Sequence, residues 1–189
     1  MAPYLVWIER MKRLALLLTV LAAAFAAASC AVLPGEAGES ADTTYTVYLV
    51  RHAEKQTGDD PSLAGDGLLR ADTLADLLSD KDIENIWSSD YRRTRETAAP
   101  LAERLGIDVL LYDASDLQSL ADEITADGVT VLVVGHSNTT PALAEFLGAD
   151  PGEPIVEASE YDRLYLIQRE GNATRSHDIQ RFGAHFEPQ

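Results

Sequence analysis

The sequence predicts an α/β fold of three layers, in which helices cover both faces of a mostly parallel sheet with an antiparallel edge strand. Two observations predict it. Apolar, strand-like runs alternate with helical stretches from Thr44 onward, a pattern typical of parallel sheets covered on both faces. The run Val129–Val134 is almost wholly apolar, as expected of a central strand buried on both sides. Residues 44–189 are therefore predicted to form one domain.

Five strands are predicted from short apolar runs bounded by polar or glycine-containing segments. They are Thr46–Arg51, Ile83–Trp87, Val109–Tyr112, Val129–Val134 and Arg163–Gln168. The turn Gly171-Asn172 follows the last of them, and a polar segment follows the turn. Glycine and asparagine favour tight hairpin turns, so this C-terminal part is predicted to form an edge hairpin.

Four helices are predicted from apolar residues that recur at helical spacing. They are Asp66–Leu78, Tyr91–Leu105, Asp116–Ala126 and Thr140–Leu147. Gly106 follows the second helix and Gly128 follows the third. Glycine is common just after a helix end, so both positions support the predicted boundaries.

The first 29 residues have the pattern of a secretory signal peptide. Lys12 and Arg13 precede an uncharged run, Leu14–Ser29, which is shorter than the ~20 residues of a membrane span. Small residues precede Cys30, as at a signal cleavage site. The segment is similar to a bacterial lipoprotein signal, which implies lipidation of Cys30, export and anchoring in the cell envelope. Plain secretion is the alternative, and Met11 is an alternative start.

The composition limits the partners of the domain. Residues 30–43 are small, acidic and glycine-containing, which predicts a flexible tether. The chain carries a net charge of −16 with a pI near 4.4. Such a charge repels nucleic acid and anionic membranes. We therefore expect no nucleic-acid partner and contact with the membrane through the lipid anchor only, while the sequence leaves the oligomeric state open.

Basic residues follow three of the predicted strands or begin the helices after them. Arg51 and His52 follow the first strand, Arg93 lies at the start of the second helix, and His136 follows the buried run 129–134. Ligands bind at the carboxyl ends of strands in such sheets, where helix N-termini favour anions. Arginines and histidines at this edge predict a phosphate site, and the adjacent arginines disfavour a metal cation.

Four segments resemble the histidine phosphatase superfamily, which includes the phosphoglycerate mutases. "LVRHAEK" resembles its signature, and "PSLAGDGLLRADTLADLL" is similar to its leucine-threonine-x-x-glycine helix entry, with Ala64 in place of the threonine. "SSDYRRTRETAAPLA" is similar to its second arginine segment and "VVGHSNTTPALAEFLG" to its second histidine segment. The resemblance runs from Tyr45 to about Leu166 in the same order, and it implies a phosphoglycerate mutase-like fold.

The resemblance also implies the roles of four residues. His52 would be the nucleophile that accepts the phosphoryl group, and Arg51 would bind the phosphate oxygens. Arg93, five residues after Ser88, would be the second arginine of the site. His136 would donate to the phosphate and stabilise the charge that develops during transfer. No cofactor and no metal are expected.

Two further assignments carry alternatives. In much of this family a carboxylate between the arginine segment and the second histidine protonates the leaving group. Asp113 is favoured because it follows the strand Val109–Tyr112, while the other candidates are Asp116, which is more suited to capping the third helix, Asp122 and Glu123. Ser137 is a substrate-binding candidate through its backbone amide, or it caps the fourth helix with Asn138.

The sequence thus predicts a metal-independent phosphatase that hydrolyses a small phosphomonoester, or a related phosphoryl compound, through a phosphohistidine on His52. The alternatives are a mutase-like phosphotransferase and a non-catalytic envelope lipoprotein that binds a phosphorylated ligand. Only 42 residues separate Arg93 from His136, which leaves little room for the lid segments of a mutase. The presence of all four core residues argues against the non-catalytic alternative. The substrate is left open.

Overall fold

The protein is described from a computed structural model that covers residues 43–185. Within this range the chain forms a six-stranded mixed sheet with four helices. In chain order the elements are β1 Thr44–Arg51, α1 Gly65–Leu78, β2 Asn85–Ser89, α2 Arg92–Leu105, β3 Val109–Tyr112, α3 Leu117–Asp127, β4 Val131–Gly135, α4 Thr139–Phe146, β5 Arg163–Glu170 and β6 Ala173–Arg181. The predicted fold class, an α/β fold with an antiparallel edge, is confirmed.

The order of strands brings the predicted site residues to one edge. The sheet runs β3-β2-β4-β1-β5-β6. The pairs β1–β4, β2–β4 and β2–β3 are parallel, whereas β5 and β6 add antiparallel strands. Arg51 lies opposite Gly135, and Ser88 lies opposite Val134. The carboxyl ends of β1, β2 and β4 are therefore level with one another.

Two apolar layers hold the sheet between pairs of helices. Because successive side chains of a strand point to opposite faces, β1 divides its residues between the layers. Val47 and Leu49 pack with apolar residues of α3 and α4, whereas Tyr48 and Val50 pack with apolar residues of α1 and α2. The sheet is thus covered on both faces, as the near-continuous apolar run of β4 predicts.

The boundaries of β2 and of the C-terminal hairpin refine the predictions. β2 begins at Asn85 and extends to Ser89, two residues beyond the predicted end. Asp82 has a φ of 51°, which is incompatible with an extended strand, and Ile83 is buried but precedes the strand. The predicted polar strand of the hairpin is β6, and Gly171 turns the chain with a φ of 52°.

The predicted N-terminal features lie outside the described residues. This holds for the signal peptide 1–29, for Cys30 and for all of the tether 30–43 except Thr43. Within residues 43–185 no helix has the length and apolar character needed to cross a membrane.

Candidate active site

His52 is held at the end of β1 by its backbone and by its own ring. Its backbone N–H donates to the carbonyl oxygen of Gly135 at 2.9 Å, which ties the residue to the end of β4. Its Nδ1 lies 2.8 Å from the carbonyl oxygen of Ala53. Because a carbonyl oxygen only accepts, Nδ1 carries the proton, and Nε2 keeps a free lone pair. This is the tautomer that a histidine nucleophile requires.

The surroundings of His52 keep the ring neutral. The side chain is only 3% exposed, and burial lowers its pKa to about 3. The hydrogen bond to Ala53 opposes this shift, while the positive charges of Arg51 and Arg93 add to it. Since a buried imidazolium loses its hydration, the ring stays neutral and nucleophilic at neutral pH.

His136 lies beside His52, directly after β4. The two ring centroids are 5.5 Å apart. Its Nε2 is 2.9 Å from Ser89 Oγ, and its Nδ1 is 3.5 Å from Nη2 of Arg93. The guanidinium can only donate, so Nδ1 is the acceptor and Nε2–H donates to Ser89. Burial, followed by the charges of Arg93 and Arg51, lowers the pKa of His136 to about 4.

Arg93 lies in the first turn of α2, between three side chains. Its Nη2 reaches His136, and its Nη1 is 3.7 Å from the carboxylate of Asp60. Its guanidinium carbon lies 4.4 Å from the centre of the Tyr91 ring, and that ring is in edge contact with His136 at 5.0 Å. Its Nε is buried and has no hydrogen-bond partner. Arg93 therefore offers an uncommitted donor beside the second histidine.

Arg51 is held differently from what the resemblance implies. The residue is 2% exposed, and its Nη1 and Nη2 donate to the carbonyl oxygens of Glu160 and Glu157 at 2.9 and 2.7 Å. Its guanidinium carbon lies 4.1 Å from the Tyr161 ring centre, and only its Nε has no partner. Arg51 therefore fixes the loop before β5. Its role as a phosphate ligand stays a prediction.

The two histidines and Arg93 line one cavity of about 900 Å³. Ser89, Tyr91 and Ser137 line it with them. Its remaining charged lining residues are Lys55, Asp90, Asp113 and Glu157. The cavity thus combines an imidazole nucleophile and cationic donors with several carboxylates, and Arg51 is absent from its lining.

Asp113 lies in this cavity, but its environment does not suit a general acid. It is exposed, and its Oδ1 accepts hydrogen bonds from the backbone N–H and the hydroxyl of Ser115 at 2.8 and 2.6 Å. These bonds lower the pKa of Asp113, which favours the ionised form that cannot donate a proton. The acid role of Asp113 stays a prediction. Asp116, the alternative, caps α3 by accepting from the backbone N–H of Ser119 at 3.1 Å.

Ser137 and Asn138 are the remaining predicted residues of the site. Ser137 lines the cavity, and Asn138 at the N-cap of α4 makes no side-chain capping bond. The backbone N–H of His136 donates to the hydroxyl of Thr139 at 2.9 Å.

Sequence reasoning missed Ser89 and Tyr91, although both lie in the quoted arginine segment. Their contacts with His136 depend on the alignment of β2 with β4.

Two glycines of the quoted segments are required by close backbone approach. A Cβ on Gly67 would lie 2.1 Å from the carbonyl oxygen of Glu54, two residues after His52. A Cβ on Gly135 would lie 2.9 to 3.0 Å from the hydroxyls of Thr139, Thr140 and Tyr112. Both glycines thus let helices approach the strand ends that carry the histidines.

Comparison with known proteins agrees with this geometry. The family model of the histidine phosphatase superfamily (branch 1) matches residues 47–116, a range that includes His52 and Arg93 and ends before His136. No curated protein matches the chain significantly.

Solved structures share the fold at low sequence identity. Mycobacterial glucosyl-3-phosphoglycerate phosphatase is 16% identical, with a TM-score of 0.58 over 75% of this chain and 100% of that chain. The protein histidine phosphatase SixA complexed with tungstate is 17% identical, with a TM-score of 0.56 over 72% of this chain and 95% of that chain. At these identities the likeness is one of fold. The chain is thus similar to the histidine phosphatase superfamily over residues 47–116 and shares the fold of these two structures.

Proposed function

We propose that this protein is a phosphatase that hydrolyses an organic phosphate through a phosphohistidine on His52. One observation carries the proposal: the Nδ1–H of His52 is bound by the Ala53 carbonyl oxygen, which leaves a neutral Nε2 in a cavity shared with Arg93 and His136. A buried neutral imidazole beside cationic donors combines a nucleophile with a binding site for an oxyanion.

The reaction proceeds in two displacements at phosphorus. The Nε2 lone pair of His52 forms a bond to phosphorus, the bond from phosphorus to the leaving oxygen breaks, and that oxygen keeps the electron pair and takes a proton from solvent water. A water molecule then attacks the phosphohistidine and gives up a proton to solvent. The P–N bond breaks with its electron pair returning to Nε2, which releases inorganic phosphate and regenerates neutral His52. Arg93 and His136 stabilise the equatorial oxygens in both steps, which is the main requirement of phosphoryl transfer.

His136 takes part in the reaction by becoming protonated at Nδ1 and donating from it to the phosphate. In the free protein Nδ1 accepts from Arg93 and Nε2 donates to Ser89. A bound phosphate supplies negative charge, which raises the pKa of a neighbouring imidazole. The ring then donates from Nδ1 to a phosphate oxygen while Ser89 holds the opposite nitrogen.

Two structural neighbours support the proposal. One neighbour is a phosphatase of glucosyl-3-phosphoglycerate, and another is a protein histidine phosphatase that binds tungstate, a tetrahedral oxyanion. The reaction proposed for this chain uses protein side chains and water, and its independence of metal ions stays a prediction.

Turnover of an aryl phosphate by the full chain tests this function. We expect release of inorganic phosphate from 4-nitrophenyl phosphate and a loss of at least about 10²-fold in His52→Ala, since the attacking atom is gone. His177→Ala is the matched control, because His177 is exposed on β6, away from the cavity lining. Equal turnover in both variants would contradict the nucleophile assignment. Binding of phosphate without any turnover would favour the non-catalytic alternative, and isomerised phosphoglycerates without free phosphate would favour the mutase.

Export and lipid anchoring form a second, separate proposal. The basic start at Lys12-Arg13, the uncharged run Leu14–Ser29 and the single Cys30 support it. We expect the protein to be exported and held in the bacterial cell envelope by a lipid on Cys30. In cells, Cys30→Ser would release the protein from the membrane fraction, whereas unchanged partitioning would reject lipidation.

A further inference from the structure

Three cavities meet at Glu157, in the loop before β5. The first is the catalytic cavity. The second, which we call the proline groove, has a volume of about 440 Å³ and an apolar lining from Pro141, Ala142, Pro151, Pro154 and Ile155. The third, which we call the lysine groove, has a volume of about 410 Å³ and is lined by Arg51, Lys55, Glu157, Ala158 and Tyr161. Glu157 lines all three.

The proline groove continues the catalytic cavity more extensively than the lysine groove does. It shares Ser137, Asn138 and Glu157 with the catalytic cavity, and the first two directly follow His136 in the chain. The lysine groove shares only Lys55 and Glu157. A group attached to a phosphate between the two histidines therefore has a continuous surface leading into the proline groove.

The charges of the two grooves are opposite. Among residues 43–185, the charged residues that line the proline groove are the exposed carboxylates Glu145 and Glu157, and no cation of this range lines it. In the lysine groove, the guanidinium of Arg51 already donates to the carbonyl oxygens of Glu157 and Glu160, which leaves Lys55 as its cation without such bonds. An apolar surface between carboxylates favours an uncharged or cationic group and repels an anion.

The wall of the proline groove is fixed by buried polar contacts. Arg163, 5% exposed, donates from Nη1 to the carbonyl oxygen of Glu153 at 2.6 Å and from Nε to Glu160 at 2.7 Å. The hydroxyl of Tyr165 donates to the carbonyl oxygen of Pro151 at 2.8 Å. Arg51 holds the carbonyl oxygen of Glu157 itself at 2.7 Å. The groove is thus formed in the free protein, as ligand sites usually are.

From these observations we infer that the leaving group of the substrate lies in the proline groove and is an uncharged or cationic organic group that lacks a second anionic function. Glu157 is the residue that determines this specificity, because it lines both the proline groove and the catalytic cavity and carries a negative charge. The inference rests on the proposed function, since it assigns the substrate class of the same site.

Binding to the full-length His52→Ala variant tests the inference without turnover. The probes are phenyl phosphate and 4-carboxyphenyl phosphate, which differ by one carboxylate on the leaving group. We expect phenyl phosphate to bind about 2- to 5-fold more tightly, the size typical of one exposed charge interaction. Glu157→Gln should bring the ratio of the two dissociation constants close to one. Glu153→Gln is the matched control, since Glu153 is exposed in the same loop and lines none of the three cavities.

A second variant tests the groove by its shape. Ala142→Phe fills the proline groove, so it should weaken binding of phenyl phosphate while leaving the binding of inorganic phosphate unchanged. Tighter binding of 4-carboxyphenyl phosphate would overturn the inference in favour of the lysine groove. An equal effect of Glu157→Gln and Glu153→Gln on the ratio would overturn the role of Glu157. Failure of inorganic phosphate to bind at all would contradict the proposed function itself, and the inference with it.

Discussion

Arg51 and Arg93 are both largely buried, both stack on a tyrosine, and both have a buried Nε without a partner. Their terminal nitrogens differ. Those of Arg93 lie near side chains, His136 and Asp60, whereas those of Arg51 are bound to backbone carbonyl oxygens of a loop. Burial and residue type alone therefore do not distinguish a guanidinium that faces the catalytic cavity from one that holds a loop. Arg93 lines the cavity and Arg51 binds the loop before β5, while the role of Arg51 as a phosphate ligand stays a prediction.

Replacement of Arg51 should have the largest effect, because it acts on the scaffold and on the site together. Arg51→Ala leaves the carbonyl oxygens of Glu160, which is buried, and of Glu157, which is exposed, without their donors, and the loss of a buried partner costs about 1–3 kcal/mol. We expect the free energy of unfolding to fall by about 2–4 kcal/mol and turnover to fall with it, measured by urea denaturation and phosphate release. Unchanged stability would mean that the loop before β5 does not depend on Arg51.

Replacement of Arg93 should separate activity from stability. Arg93→Ala removes a preorganised donor from the catalytic cavity, so kcat/KM should fall by about 10²-fold or more. The free energy of unfolding should change by less than about 1 kcal/mol, because the ion pair of Arg93 with Asp60 is long and involves a half-exposed carboxylate. A stability loss equal to that of Arg51→Ala would remove the contrast between the two arginines.

Because two histidines are buried in the neutral form, the free energy of unfolding should fall as the pH falls. The folded-state pKa of His52 is about 3 and that of His136 about 4, below the ordinary value of about 6.5. Between pH 6.5 and these folded-state pKa values, the unfolded chain binds more protons than the folded protein does. The stabilisation that the two neutral histidines contribute is therefore complete above about pH 6.5 and is lost as the pH falls through their folded-state pKa values. We expect His52→Gln to reduce this loss between pH 7 and 5, measured by urea denaturation. His177→Gln, the exposed control, should leave the slope unchanged.

Replacement of Asp60 should have the smallest effect of these substitutions, and it should act on the binding of inorganic phosphate. Its carboxylate accepts from the backbone N–H of Arg92 at 2.8 Å and lies 3.7 Å from Nη1 of Arg93. Asp60→Asn keeps the acceptor but removes a negative charge next to Arg93, so inorganic phosphate should bind about 2- to 5-fold more tightly. Calorimetric titration of the two proteins measures this change. Weaker binding would show instead that the charge of Asp60 positions Arg93.

The edge that carries the histidines could be predicted from sequence, because it follows from strand order. Arg51, His52 and His136 follow apolar runs directly, and Arg93 begins the next helix, so parallel pairing alone brings them to the same end of the sheet. The hydrogen bond from His52 N to the Gly135 carbonyl oxygen is a direct result of that register.

The loop before β5 could not be predicted in the same way. Its contacts with Arg51 join residues 106 and 109 positions apart in the chain, and an irregular segment has no periodicity from which to place them. The acid role of Asp113 depended on position alone, whereas its two hydrogen bonds from Ser115 are local contacts that lower its pKa. The position of a carboxylate after a strand is therefore informative, but position alone does not show which hydrogen bonds the carboxylate accepts.

Identification of the phosphorylated residue is the decisive experiment on the nucleophile. The full chain is mixed with 4-nitrophenyl phosphate and quenched within one turnover at alkaline pH, and its peptides are then examined by mass spectrometry. We expect one added phosphoryl group on the peptide that contains His52, and none on that peptide in the His52→Ala variant. Turnover without phosphorylation of His52, or phosphorylation of His136 in its place, would show that His52 is not the nucleophile.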